Sequence, residues 1–424
     1  MAASNRLIPR ENLVAFILLT SCFAWWGLAN NMTDTLLAAF KRIMSMTDAR
    51  TAWIQSAFYG SYFCLALPGA IFIKKYSYKA GVLLGLGMFV SGSLLMYPAS
   101  LTMNYFHFLG ALYILAGGLS VLETTANPYI IAMGPAESGT QRLTFAQSFN
   151  PIGSISGVLL SKWFILSNLN QASAEERAAM SAAELEKVQA AELSAVMGPY
   201  VAVAFVLVGI WLAFAFMKMP EGSDAGDKAS LGETIGRLLK IRHYRWGVIA
   251  QFFYVGAQIA VWSFTIRYVM QEIGVNEEQA ASYYLAALVV FTAARFVCTG
   301  LMKYVDPGKL LASLAGLAIL CCAATIYGSG YFGVYALIAI SMCMSLMFPT
   351  IFAMAVHDLG DDTKIGGSGV IMAIFGGAAI TQIQGWVSDS TGSIHMAYWV
   401  PLLCFVVIAF HGLVTCRPAD ESAS

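Results

Sequence analysis

Twelve long apolar stretches constrain this chain more than any other feature. They lie near residues 13–37, 52–73, 80–99, 104–132, 142–166, 196–217, 245–270, 279–302, 309–328, 331–355, 365–388 and 395–415. A membrane-spanning helix needs about 20 mostly apolar residues. Each stretch is therefore read as one span, and the expected fold is all-α, integral to a membrane. Composition agrees, because 58% of the 424 residues are apolar and 11% are charged, against roughly 25% charged in a soluble domain. A set of 24 Lys+Arg and 24 Asp+Glu cannot coat a soluble surface of this size, so the surplus must face lipid. A formal net charge of 0 gives no sign of a nucleic-acid partner. The eight cysteines lie mostly inside apolar runs and lack CxxC spacing. They read as core residues, with neither a metal site nor a disulfide framework expected.

Orientation follows from basic residues, which concentrate in cytoplasmic loops. With both termini placed in the cytoplasm, sixteen Lys and Arg fall in inner segments, among them Lys74, Lys75, Lys79, Arg142, Lys303 and Lys364. Five fall in outer segments: Lys41, Arg42, Arg50, Arg177 and Lys187. The polar residues 5–11 precede an apolar run of full span length, so no cleaved signal is expected.

The polar, basic segment from Lys218 to Arg245 has six spans before it and six after. It predicts an N-terminal six-helix half at 1–217, a cytoplasmic linker at 218–244 and a C-terminal six-helix half at 245–424. A second polar stretch, 168–195, is rich in Ala and Glu. It is expected to be an outer loop with one or two short surface helices and no function of its own. The two halves echo each other. Pro128-Tyr-Ile-Ile-Ala-Met133 in the fourth span and Pro349-Thr-Ile-Phe-Ala-Met354 in the tenth both read P-x-I-x-A-M, 221 residues apart. Parallel repeats of this kind place a substrate site between the halves near the midplane.

Ionisable residues in hydrocarbon are costly and therefore candidates for function. Glu123 lies about 7 Å beyond the centre of the fourth span at 1.5 Å per residue. A carboxyl taken out of water pays for its charged form, which brings proton binding within reach of neutral pH. The bland alternative is a neutral acid satisfied by nearby Ser, Thr and Asn. Asp34, in the outer part of the first span, reads either as a second such site or as a helix-end carboxylate. Arg295, near the middle of the eighth span, would bind an anion or pair structurally with a carboxylate across helices. Gln251, Tyr254, Gln258 and Trp262 recur at intervals of 3, 4 and 4, which puts them on one helical face. Amide, phenol and indole groups suit sugar hydroxyls and C–H faces, although an interhelical hydrogen-bond seam fits as well. Asn30, Asn31, Gln147, Asn150, Gln382 and Gln384 add polar groups within spans. The chain carries no nucleophile elbow, zinc-protease or P-loop motif, so no enzyme is expected.

Several blocks then become specific: WGLANNMTD (26–34), IQSAFYGSYF (54–63), KKYSYKAG (74–81), LETTANPYI (122–130), RLTFAQSFNPIG (142–153), QFFYVGAQIAVWSFTIRYV (251–269) and FPTIFAMAVHDLGDDTK (348–364). Through these, over about residues 12–415, the chain resembles the fucose–galactose–glucose:proton symporters of the major facilitator superfamily. The resemblance implies a monomeric carrier in the bacterial inner membrane, without cofactor, that imports L-fucose or a close hexose with protons by alternating access. Glucose, galactose and amino-sugar substrates also occur in that family, and an uncoupled sugar facilitator is the other alternative, which the buried carboxylates count against. It further implies that Asp34 and Glu123 carry protons, that Glu123 also touches sugar, and that Asn30, Asn31, Gln147 and Asn150 line the cavity. Two departures stand out. Met-Thr precedes Asp34 where an asparagine is expected, and Gln382 and Gln384 occupy a normally more apolar segment. If those glutamines face the cavity, the sugar changes.

Overall fold

The structure, a computed structural model, describes residues 7–43, 48–102, 104–160, 163–164, 174–219 and 230–414. The side chains of Asn30 and of residues 33–43 and 48–56 lie outside that description. Among the described residues the chain is helical throughout, with no strand. Eleven helical stretches are long and apolar enough to cross a membrane. The protein is thus a multi-pass membrane protein.

The N-terminal helices are α1 (Leu13–Ile43), α2 (Asp48–Lys75), α3 (Tyr78–Thr102), α4 (Tyr105–Ala132), α5 (Gly139–Gln147), α6 (Phe149–Leu160), α7 (Ala174–Ala179) and α8 (Ala182–Phe216). A short helix, α9 (Leu231–Leu238), follows. The C-terminal helices are α10 (Arg242–Ile273), α11 (Glu277–Leu301), α12 (Pro307–Tyr327), α13 (Gly330–Met344), α14 (Met347–Ala355), α15 (Thr363–Met372), α16 (Gly376–Thr391), α17 (Ile394–Ala397) and α18 (Trp399–Val414).

Local signals set many of these ends. Asn104 caps α4 by accepting the Phe106 N–H at 2.9 Å. Asp306 caps α12 by accepting the Lys309 N–H at 3.0 Å, with Pro307 at the first helical position, where its missing N–H costs nothing. Gly274 closes α10 in the left-handed region at φ 65°, a conformation that lacks a penalty only without a Cβ.

Four spans expected to be continuous are interrupted, the eleventh between α15 and α16, the twelfth between α17 and α18, and two more beside a proline. The fifth, expected at 142–166, is split at Ser148 into α5 and α6. The tenth, expected at 331–355, is split at Ser345–Leu346 into α13 and α14. Pro151 is the third residue of α6 and Pro349 the third of α14. In the first turn of a helix proline is tolerated, but it leaves the carbonyl four residues earlier without its helical donor. Those carbonyls belong to Gln147 and Ser345.

Close packing reappears at equivalent places on either side of α9. A Cβ on Gly153 of α6 would lie 1.7 Å from the Ala24 carbonyl oxygen of α1. A Cβ on Gly376 of α16 would lie 2.0 Å from the Phe252 carbonyl oxygen of α10. Small residues let helices approach where lipid supplies no hydrophobic drive between them. The 168–195 segment, expected to hold one or two short surface helices, contains α7 and the start of α8. Its residues from Ala182 onward are an extension of α8, started by a capping box between Ser181 and Glu184. Arg177 of α7 makes a buried two-point ion pair with Glu192, one leg at 3.0 Å.

Near the Lys74 end the two sets of helices touch. There α2 packs on α15, and α4 on α14 and α15. Gln141 donates to the Thr299 carbonyl at 2.9 Å. The α9 helix joins the C-terminal set through Arg237, whose guanidinium forms a bidentate pair with Asp362 at 2.9 and 2.6 Å.

Candidate functional site

A cavity of about 510 Å³ lies between the two sets of helices, within the range of small-ligand sites. Its walls carry Leu112, Ile266 and Tyr284. The N-terminal helices also supply Trp26, Asn31, Tyr59, Glu123, Gln147 and Asn150. The C-terminal helices supply Gln258, Trp262, Arg295 and Phe348.

Glu123 is the carboxyl of this cavity among the described side chains. It is 6% exposed. Its Oε1 accepts from the Tyr62 hydroxyl at 3.2 Å, and its Oε2 has no hydrogen-bond partner. Leaving one carboxyl oxygen buried and unpaired is expensive. A group that supplies a donor there, whether a proton or a ligand hydroxyl, relieves that cost.

Gln147 and Asn150 flank the α5–α6 break, which turns both toward the cavity. Gln147 donates from Nε2 to the Asn127 Oδ1 at 3.0 Å. Arg295 is 4% exposed and sits over the Phe291 ring, 4.5 Å from its centroid. It meets no carboxylate among the described residues. Its Nε donates to the Ser345 carbonyl, and its Nη1 to the Gln147 carbonyl at 2.9 Å. Two backbone carbonyls stand where a carboxylate partner was expected.

Trp262 donates its indole N–H to Ser341 at 3.2 Å and meets the edges of Tyr284 and Phe291. Its ring and the neighbouring amide of Gln258 border the cavity. The expected α10 face does not act as one unit. Tyr254 is fully buried away from the cavity, and its hydroxyl donates to the Met344 carbonyl at 3.1 Å. It ties α10 to the break after α13, and the cavity is not lined by Tyr254, which was expected as a substrate contact. Gln251 is also buried outside the cavity lining. Gln382 is exposed, Gln384 is buried in helix packing, and neither lines the cavity. Asn30 and Asp34 belong to α1, but their side chains lie outside the described residues.

Sequence reasoning missed Tyr62 and Asn127, the partners of Glu123 and Gln147. Both lie inside blocks already singled out, 54–63 and 122–130. Their spans gave no separate signal that these particular faces turn inward.

A membrane bundle that holds a polar cavity between two helix sets, with an unpaired acid in its wall, is built as a carrier. The Major Facilitator Superfamily pattern matches residues 14–382. The chain belongs to that superfamily. It is 40% identical over 405 residues to the L-fucose-proton symporter of Escherichia coli, covering 94% of this chain and 92% of that one. It is 34% identical over 402 residues to a glucose/galactose transporter of Brucella abortus, covering 93% and 92%. Among solved structures, a Major Facilitator Superfamily transporter, FucP, in the outward conformation superposes with a TM-score of 0.91 at 39% identity, over 96% of this chain and all of the other.

Proposed function

We propose that the protein is a sugar:proton symporter of the bacterial inner membrane that imports L-fucose by alternating access. The observation that carries this reading is the unpaired Oε2 of Glu123 in a cavity walled by amides and aromatic rings. Protonated, Glu123 donates a hydrogen bond to a sugar hydroxyl. Bare, it would be left charged in a closing, drying cavity, which is costly. Sugar and proton therefore enter the closed state together. The likeness to the L-fucose-proton symporter of Escherichia coli supports the choice of sugar. The more distant glucose/galactose transporter keeps those hexoses as the second reading.

In this reading Asp34 and Glu123 carry protons. Asn30, Asn31, Gln147, Asn150 and Gln258 hold sugar hydroxyls, and the Trp262 ring covers a C–H face. Residues 1–217 and 245–424 move as halves about the 218–244 linker, both termini face the cytoplasm, and the working unit is the monomer. Binding of L-fucose, D-galactose, D-glucose and N-acetylglucosamine to the purified protein, followed by calorimetry, tests the sugar. L-fucose is expected to bind at least about tenfold tighter than the others. Tightest binding of D-glucose or D-galactose would transfer the protein to the second reading.

A further inference from the structure

We propose that Arg295 is a latch between the two helix sets, and that Pro151 and Pro349 create its two sockets. The inference rests on the alternating-access reading and names the bond that must break during it.

Two helix breaks lack a backbone donor. An uninterrupted helix would close the Gln147 carbonyl with the N–H of residue 151, and the Ser345 carbonyl with that of residue 349. Both positions are proline, so neither donor exists. A carbonyl left open in hydrocarbon must find another partner. Both find the same one. Arg295 of α11 donates through Nε to Ser345, within its own helix set, and through Nη1 to Gln147 across the cavity at 2.9 Å. The guanidinium holds its donors in a fixed fork, which suits two acceptors at set places. The ring of Phe291 supports it from one side.

The Ser345 bond stays inside the C-terminal helices and anchors the fork. The Gln147 bond spans the two sets and cannot survive their separation. It lies beside two further contacts between the sets, the Phe149–Phe296 rings at 6.0 Å and the Gln141–Thr299 bond. Opening the Lys74 end breaks the Gln147 bond, so the bond holds that end shut. Sugar or a proton arriving at the neighbouring Gln147 and Glu123 side chains then acts next to the latch.

The test reads conformation directly. Spin labels on non-natural amino acids at positions 75 and 361 report separation across the Lys74 end, where both residues are exposed on opposite walls of a cleft. Pro151→Ala restores an N–H that competes for the Gln147 carbonyl. It should raise the ratio of separated to closed molecules about tenfold, as expected for loss of a hydrogen bond to a charged group. Arg295→Gln should do at least as much, and Arg295→Lys should fall between it and wild type. The double variant Pro151→Ala, Arg295→Gln should match Arg295→Gln alone, because the proline matters only through the arginine. Wild-type distances in Pro151→Ala, or effects that add in the double variant, would overturn the latch. Should Arg295→Gln not accumulate, Pro349→Ala beside Pro151→Ala decides the matter by the same distance. Absence of sugar uptake by wild-type protein would instead strike the transport reading, whatever the distances show.

Discussion

The Tyr62 hydroxyl donates to one oxygen of the Glu123 carboxyl at 3.2 Å and leaves the other without a partner. One oxygen is therefore held and the other is available. The held oxygen fixes the plane of the carboxyl, and the available one faces the demand for a donor that sugar or proton can meet. Tyr62→Phe should keep the fold, because the ring packs in the core, but loosen this orientation. The expected outcome is a weakening of sugar binding by about fivefold to tenfold, in line with roughly 1–1.5 kcal/mol for one hydrogen bond, measured by calorimetry.

The indole of Trp262 gains both a hydrogen bond to Ser341 and edge contacts with two rings. These fix the plane that it offers to the cavity. Trp262→Ala should weaken sugar binding about tenfold or more. Gln258→Ala, which removes an amide without disturbing that stack, should cost about tenfold. Tyr254→Phe should leave sugar affinity within about twofold while lowering thermal stability, because its hydroxyl serves Met344 rather than the cavity.

Helix approach at Gly153 leaves no space for a side chain, since a Cβ would meet the Ala24 carbonyl at 1.7 Å. Gly153→Ala should therefore reduce the yield of folded protein sharply. Gly198→Ala, where nothing lies within 4 Å, should behave as wild type. Size-exclusion chromatography of the detergent-solubilised protein distinguishes these outcomes.

The Arg177–Glu192 pair is buried on both sides, at 5% and 2% exposure. Breaking a buried pair strands a charge and costs about 3–5 kcal/mol. Glu192→Ala should therefore lower the melting temperature clearly, and the double variant Arg177→Met, Glu192→Leu should recover most of the loss.

Much of the architecture was readable from span length and from the P-x-I-x-A-M echo, because lipid forces every span to satisfy its own backbone. The helix breaks were less visible. A proline three residues into a new helix looks the same in sequence as one that merely kinks an old helix. The site was readable by residue type but not by direction. A 3-4-4 spacing shows that Tyr254, Gln258 and Trp262 share a face, yet the face descends from the cavity at Trp262 into the α13 break at Tyr254. Similarly, the glutamines of α16 read as unusual, but only packing reveals that Gln384 is enclosed and Gln382 turned outward. Partners such as Tyr62 and Asn127 emerge from which helices meet, which one chain's pattern does not specify.

The central claim is that Glu123 couples sugar to protons. The most direct measurement is the pH of a lightly buffered suspension of cells expressing the protein after addition of L-fucose, with Glu123→Gln beside wild type. Wild type should give a prompt alkalinisation that falls to background in Glu123→Gln, while exchange of labelled sugar without a gradient persists within about tenfold. Sugar-driven alkalinisation of wild-type size in Glu123→Gln would contradict the claim.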